Sequence, residues 1–198
     1  MEADQNDIRA LRDLLGQDCR IEPYAQTGIH RAYLVHQDGR KLLARVHGNR
    51  DVRAAEVERA ILAGLDKQAV PVPHVVAHAT DPLITVFDFI EGVHAKPAQT
   101  GELFDERCRS AMTCLAAIHQ SGLVDLPFER TVLTEVDRGL QQRDNITRHF
   151  SDGAEFIEDL EALGAFARSH RVPETILHND YRCNNILFAD DKATVAAV

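Results

Sequence analysis

Several common protein classes are excluded by what this 198-residue chain lacks. No stretch approaches the roughly 18–20 consecutive apolar residues that a membrane span needs. The N-terminus, MEADQNDIRALRDLL, is acidic and has no apolar centre, so it does not read as a secretory signal. Cysteine is scarce and unpaired in pattern: Cys19, Cys108, Cys114 and Cys183 form no CxxC step. A disulfide framework is therefore not expected, and a reduced, cytoplasmic location fits. Basic residues are outnumbered, 22 against 31 acidic, giving a formal charge of −9. A broad nucleic-acid surface would need clustered Lys and Arg, so neither nucleic acid nor membrane is expected as a partner. Internal repeats, low-complexity tracts and a G-x-S-x-G nucleophile elbow are also missing.

What is present reads first as strands. YAQTGIHRAYLVHQDGRKLLARVHG alternates in polarity and carries a turn signal at Asp38-Gly39, which predicts a hairpin whose second strand runs from Lys41 to His47. Ile21 to Gln26 is expected to add a strand before it, with a turn at Thr27-Gly28. In RDVRAAEVERAILAGLDKQ, residues Val57, Ala60, Ile61, Gly64 and Leu65 fall on one helical stripe. That helix must end before Pro71 and Pro73. HVVAHA and LITVFDFI then follow as strands around an Asp81-Pro82 turn.

Beyond Gly92 the pattern turns helical. GVHAKPAQTG reads as a linker. LFDERCRSAMTCLAAIHQSG then places Phe104, Cys108, Ala111, Met112, Leu115 and Ile118 at helical spacing and stops at Gly122. Further helical patterns cover roughly 133–150 and 154–170, and NILFADDKATVAAV reads as a second hairpin turning at Asp190-Asp191. The expected organisation is an α+β chain: a β-rich N-lobe at 1–92 with one crossing helix, and a mainly helical partial C-lobe at 93–198. Small ligands often bind between such lobes.

One short stretch carries chemistry. In ILHNDYRCNNILF, His178, Asp180 and Asn185 have the spacing H-x-D-x-x-x-x-N of a kinase catalytic loop. Phosphoryl transfer needs a carboxylate close to the acceptor hydroxyl and an oxygen ligand that helps hold the metal. Apolar pairs on both sides suit a loop pinned between buried strands. An ordinary Asn-rich turn is the competing reading. His74 and His78, four apart, resemble half a zinc site but lack a third ligand, so a structural role is expected. Cys108 and Cys114 read as core filling, and His119 as a core or capping residue.

Taken with LLARVHG, ERAILAGLDKQAVPVPHVV, VFDFIEG and LAAIHQSGL, in that order and at those spacings, the chain resembles the aminoglycoside phosphotransferase and choline kinase superfamily. These are small-molecule relatives of protein kinases, and the resemblance runs from about Ile21 to Val198. It implies a protein-kinase-like two-lobe fold, a five-stranded N-lobe and an ATP-dependent transfer of phosphate to a hydroxyl of a small molecule. It implies that Asp180 is the catalytic base, that His178 ties the loop backbone, and that Asn185 is a ligand of Mg²⁺. Arg45 stands where the family grips the nucleotide with Lys; both are cations, but Arg is a planar fork.

A helical Glu should pair with that cation. Glu58 shares a face with Ile61, Leu62 and Leu65 and is preferred, with Glu56 the alternative. The resemblance further implies that main-chain groups of Asp88 and Ile90 hold adenine, and that Gly28 lets the first hairpin approach phosphates. The family's second metal-binding Asp is expected just beyond Val198, so the chain is expected to be a fragment or a shortened form. Weak nucleotide binding, slow or absent transfer, and exposed apolar surface on the incomplete lobe are expected in consequence. A catalytically inactive, kinase-like nucleotide-binding module is the alternative function.

Overall fold

Ile21 to Asp88 builds one twisted antiparallel sheet. In the computed structural model, residues 3–27, 29–48, 51–95, 101–123, 132–170, 181–189 and 193–198 are described. The strands are β1 (Arg20–Thr27), β2 (His30–Gln37), β3 (Arg40–Val46), β4 (Val75–Thr80) and β5 (Leu83–Asp88), in the order β1-β2-β3-β5-β4. The β2–β3 hairpin turns where the sequence signals it. Asp38 and Gly39 take φ of 50° and 76°, the paired left-handed conformation that a two-residue hairpin turn requires. Helix α2 (Val52–Asp66) enters from β3 through an N-cap in which the Asp51 side chain accepts from the Ala54 N–H at 2.9 Å.

Alternation along the strands gives the sheet two faces. Tyr33, Val35, Leu42, Ala44, Val46, Ile84 and Val86 form one buried core with Leu11 and Cys19. Leu11 belongs to helix α1 (Gln5–Leu15), an element the strand-and-helix reading of the N-terminal region did not anticipate. A carboxylate fixes it to the sheet: Asp7 is buried and accepts a bidentate bond from Arg31 (2.5 and 2.8 Å) and one from the Tyr33 hydroxyl (2.6 Å). The opposite face carries Arg45, His47 and Phe87.

The second core joins distant parts of the chain. Leu65, Val70 and Val72 pack with Ala111, Cys114 and Ile118 of helix α3 (Glu102–Gln120), with Ile186, and with Phe188 and Val195 of a two-stranded sheet, β6 (Leu187–Phe188) and β7 (Val195–Ala197). Two helical phases differ from the expected ones. On α2, Ala60 is exposed while Ala55 is buried and Leu62 packs against the core. On α3, Met112 is 61% exposed and Cys108 is also exposed, so Cys108 is not core filling. Arg107 takes the inward position instead, its guanidinium 5.2 Å from the centre of the Phe188 ring.

The chain divides into two compact units, one formed by Met1–Leu123 with Thr175–Val198 and one by Val124–Glu174. The latter contains α4 (Val132–Gln141), α5 (Arg143–His149) and α6 (Gly153–Ser169), so the helix expected over 133–150 is two helices that break at Gln142. Val136 and Ile157 are buried there, and Gly139 and Gly164 admit close packing against Leu160 and Val136. Phe150, Phe156, Leu163 and Phe166 are exposed.

Candidate functional site

Strand β3 and helix α2 bring together the first two site residues. Arg45 Nη2 donates to Glu58 Oε1 at 2.9 Å, and the two side chains are 34% and 33% exposed. The Arg45 guanidinium also lies 5.0 Å from the centre of the Phe87 ring, its neighbour on β5. Register explains this: Arg45 pairs with Thr85, so the same face of the next strand presents Phe87. A planar guanidinium can stack on a ring and fork to a carboxylate at once, which a Lys ammonium cannot do. Glu56 is exposed on α2, so Glu58 is the partner of Arg45.

Around this pair stand residues that the sequence reading did not single out. His47, just past the end of β3, is buried and shares a hydrogen bond with the buried Thr85 hydroxyl (3.1 Å). His30 packs edge-on to it, ring centres 5.3 Å apart. Burial, followed by the Arg45 charge, pushes the His47 imidazole below its ordinary pKa, and Glu58 only partly opposes this. Both effects favour the neutral imidazole. The two-residue period of a strand was a signal that could have found it, since His47 shares the face of Arg45.

Past β5 the backbone leaves the sheet at Asp88. Its N–H donates to the His74 carbonyl (3.0 Å), and the Phe89 N–H donates to Lys41 (3.1 Å). The Asp88 carboxylate pairs with Arg40 at 2.6 Å and the Lys41 ammonium with Glu91 at 2.6 Å, while Phe89 meets Tyr24 edge-on at 5.8 Å. The Asp88 N–H is thus taken by the sheet. Ile90 is half-buried just beyond.

The segment from Tyr181 is held at both ends. The Tyr181 hydroxyl donates to the Ala111 carbonyl at 2.5 Å, and burial raises its pKa. Cys183–Asn185 form a single 3-10 turn, whose Asn185 N–H donates to Arg182 at 2.8 Å. Ile186 is then buried, its carbonyl accepting from His94 Nδ1 at 3.0 Å, and Val93 and Phe188 exchange two backbone bonds (2.8 and 2.9 Å). Asn185 is exposed at the end of this anchored turn. Its amide offers a hard, neutral oxygen of the type Mg²⁺ accepts. His178, Asp180 and Gly28 lie outside the described residues. His74 and His78 are both exposed, and His74 lies 3.6 Å from Asp66. Among the described residues no group of three or more His, Cys, Asp or Glu could hold a metal.

A family model described as the phosphotransferase enzyme family matches residues 20–198. The chain belongs to that family. Helix α1 lies ahead of the region the family model covers. Solved structures give the phosphotransferase fold directly. A thermostable variant of the aminoglycoside phosphotransferase APH(4)-Ia, in complex with ADP and hygromycin B, aligns at a TM-score of 0.72 with 17% identity, covering 96% of this chain and 68% of that one. The streptomycin–ATP complex of APH(2")-IIa aligns at 0.66 with 14% identity, covering 100% and 70%. A candidate aminoglycoside phosphotransferase from Ralstonia eutropha JMP134 aligns at 0.68 with 18% identity and 98% coverage of this chain, which spans 63% of its length. Comparison with curated proteins finds no match. The chain thus has the expected α+β, kinase-like fold.

Proposed function

We propose that this phosphotransferase transfers a phosphoryl group from ATP to a hydroxyl of a small molecule. The Arg45–Glu58 pair supports this reading most directly, because a cation held by a helical carboxylate over a ring is a fixed anchor for phosphate. The donor set fits a nucleotide. Arg45 would hold phosphate oxygens, the Asp88 carbonyl and Ile90 N–H would meet adenine, and Gly28 would allow close approach of the first hairpin. Asn185 would ligate Mg²⁺, which when bound neutralises charge developing on the phosphates. Asp180 would accept the proton of the attacking hydroxyl, with His178 tying its loop in place. Solved neighbours in complex with ATP and with ADP add support for nucleotide binding.

The lobe boundary near residue 92 belongs to the same proposal, since Asp88 and Ile90 would then form the connector. So do a cytoplasmic location and a small-molecule acceptor. Among the described residues no helix is long and apolar enough to cross a membrane.

Melting curves with and without Mg·ATP, together with ADP release in the presence of candidate aminoglycosides, test the reading. ATP is expected to raise the melting temperature, and Asp180→Ala is expected to abolish turnover while keeping that rise. Stabilisation without turnover would identify an inactive nucleotide-binding module. No stabilisation by any nucleotide would overturn the proposal.

A further inference from the structure

Two buried side-chain nitrogens lie in the neighbourhood of the Arg45–Glu58 pair. Among the described residues, Arg59 Nη1 and His30 Nδ1 are the buried side-chain polar atoms without a hydrogen bond. They belong to one neighbourhood. His30 packs on His47, and His30, Arg45, Arg59 and Glu58 all act electrostatically on His47. Arg59 follows Glu58 on α2, and His30 opens β2.

The local charge balance is unusual for a chain of net charge −9. Two guanidiniums, Arg45 and Arg59, act on His47 together with one carboxylate, Glu58, and that carboxylate is engaged by Arg45. A guanidinium N–H withdrawn from water without a partner is destabilising, and the cost is recovered if a ligand oxygen takes the vacant position. His30 would contribute a second N–H in the tautomer or charge state that protonates Nδ1. His30 packs on His47, and Arg59 adjoins Glu58, which holds the cation already assigned to phosphate, so the ligand chemistry they suit is an extended phosphate chain.

We propose that Arg59 and His30 form a second phosphate-binding pair beside Arg45, so that this neighbourhood recognises a polyphosphate chain rather than a single phosphate. The inference rests on the nucleotide reading above but names residues and a selectivity that the reading does not contain. A free polyphosphate and the tail of a nucleoside triphosphate share this chemistry, and the probes below separate them.

Isothermal titration of the full chain with Mg·ATP, AMP, adenosine and inorganic tripolyphosphate tests it, for the wild type, Arg59→Gln and His30→Gln. Loss of one charge-assisted hydrogen bond is expected to weaken ATP and tripolyphosphate binding by about tenfold in Arg59→Gln. Adenosine affinity should stay within about twofold, since no base contact changes. The ligand-free melting temperature of Arg59→Gln should hold or rise, a combination that a structural arginine would not give. His30→Gln should weaken the same two ligands, and it carries the test if Arg59→Gln fails to fold. Unchanged ATP affinity in both variants would overturn the proposal and leave the nucleotide reading intact. Tripolyphosphate binding without ATP binding would do the reverse, keeping the anion site and removing the nucleotide. Binding of neither by the wild type would remove both.

Discussion

Replacing Glu58 with Gln removes one charge from the central pair and leaves an acceptor of nearly the same shape. Two unit charges 2.9 Å apart, as here, attract by about 6 kcal/mol at an effective dielectric of about 20, before desolvation. Solvent offsets most of that. Fully exposed pairs contribute about 0–1 kcal/mol, and removing one partner of a fully buried pair costs about 3–5 kcal/mol. With both side chains about one-third exposed, the expected loss is about 1–2 kcal/mol, nearer the exposed limit. At about 2–4 °C per kcal/mol for a chain of this size, the melting temperature should fall by about 2–8 °C. Arg45 keeps its ring contact with Phe87, so the fold should survive. The larger effect should appear in ligand binding, because a guanidinium without its carboxylate samples other rotamers. Scanning calorimetry with and without Mg·ATP should show a smaller ATP-induced rise in Glu58→Gln than in the wild type. Glu56→Gln, on the exposed side of α2, should stay within about 0.5 kcal/mol of wild type. Equal effects of the two substitutions, or an undiminished ATP-induced rise in Glu58→Gln, would refute the argument.

Acid should weaken the fold through two groups. Burial alone would raise the Asp7 carboxyl, but the bonds from Arg31 and Tyr33 and the Arg31 charge outweigh it and hold its pKa below the usual value. Its stabilisation is thus present above the ordinary carboxylate range and lost as pH falls through the lowered pKa. The depressed pKa of His47 likewise removes stability as pH falls below 6.5, the ordinary histidine value the unfolded chain takes. Urea midpoints from pH 7 to 3 should decline, and Arg31→Met should cost about 2–3 kcal/mol at pH 7 by stranding the buried carboxylate. In the same triad the Tyr33 hydroxyl is pushed up to about 12, and burial raises Tyr181 as well, so ultraviolet titration should find two tyrosines ionising well after a free phenol. Gly48→Ala would place a methyl carbon 2.1 Å from the Ile29 carbonyl oxygen. Because that obstacle is backbone, a loss of about 1–3 kcal/mol in a chemical-denaturation curve is expected. Exposed Cys108 should react with a thiol reagent far faster than buried Cys114, whose thiol burial pushes up. Cys108→Ser should therefore remove a fast phase while sparing the slow one.

The sheet was legible because its signals are local: alternation, the Asp38-Gly39 turn, and prolines that forbid helix after Gln68. Helix α1 was not, because its short apolar stripe is completed by Arg31 and Tyr33 of a strand far along the chain. The phase of α3 shifted for a similar reason. A hydrophobicity pattern assigns Met112 inward and Arg107 outward, but the Phe188 ring provides a place for the guanidinium that no local window contains. At the site, helical phase identified Glu58 over Glu56 because a partner four residues away must share a face. The roles of His30 and Arg59 were hidden, since an unpartnered buried donor is a property of the assembled neighbourhood. Asp180, the residue with the strongest motif, lies outside the described residues, so its role rests on sequence and on the family.

The second core also sets the order in which this machinery can form. Leu65 at the end of α2 is buried against residues of α3 and against Ile186, Phe188 and Val195, and the Val198 N–H closes on the Pro71 carbonyl at 3.1 Å. Contacts this distant in sequence are slow to form, because a long loop must close before they are rewarded. Until the β6–β7 hairpin has been synthesised and docked, the helix carrying Glu58 has a naked apolar flank open to other chains. The clamp on Arg45 is therefore timed by residues that touch neither partner, and a small cavity at Val195 would delay it as well as weaken it.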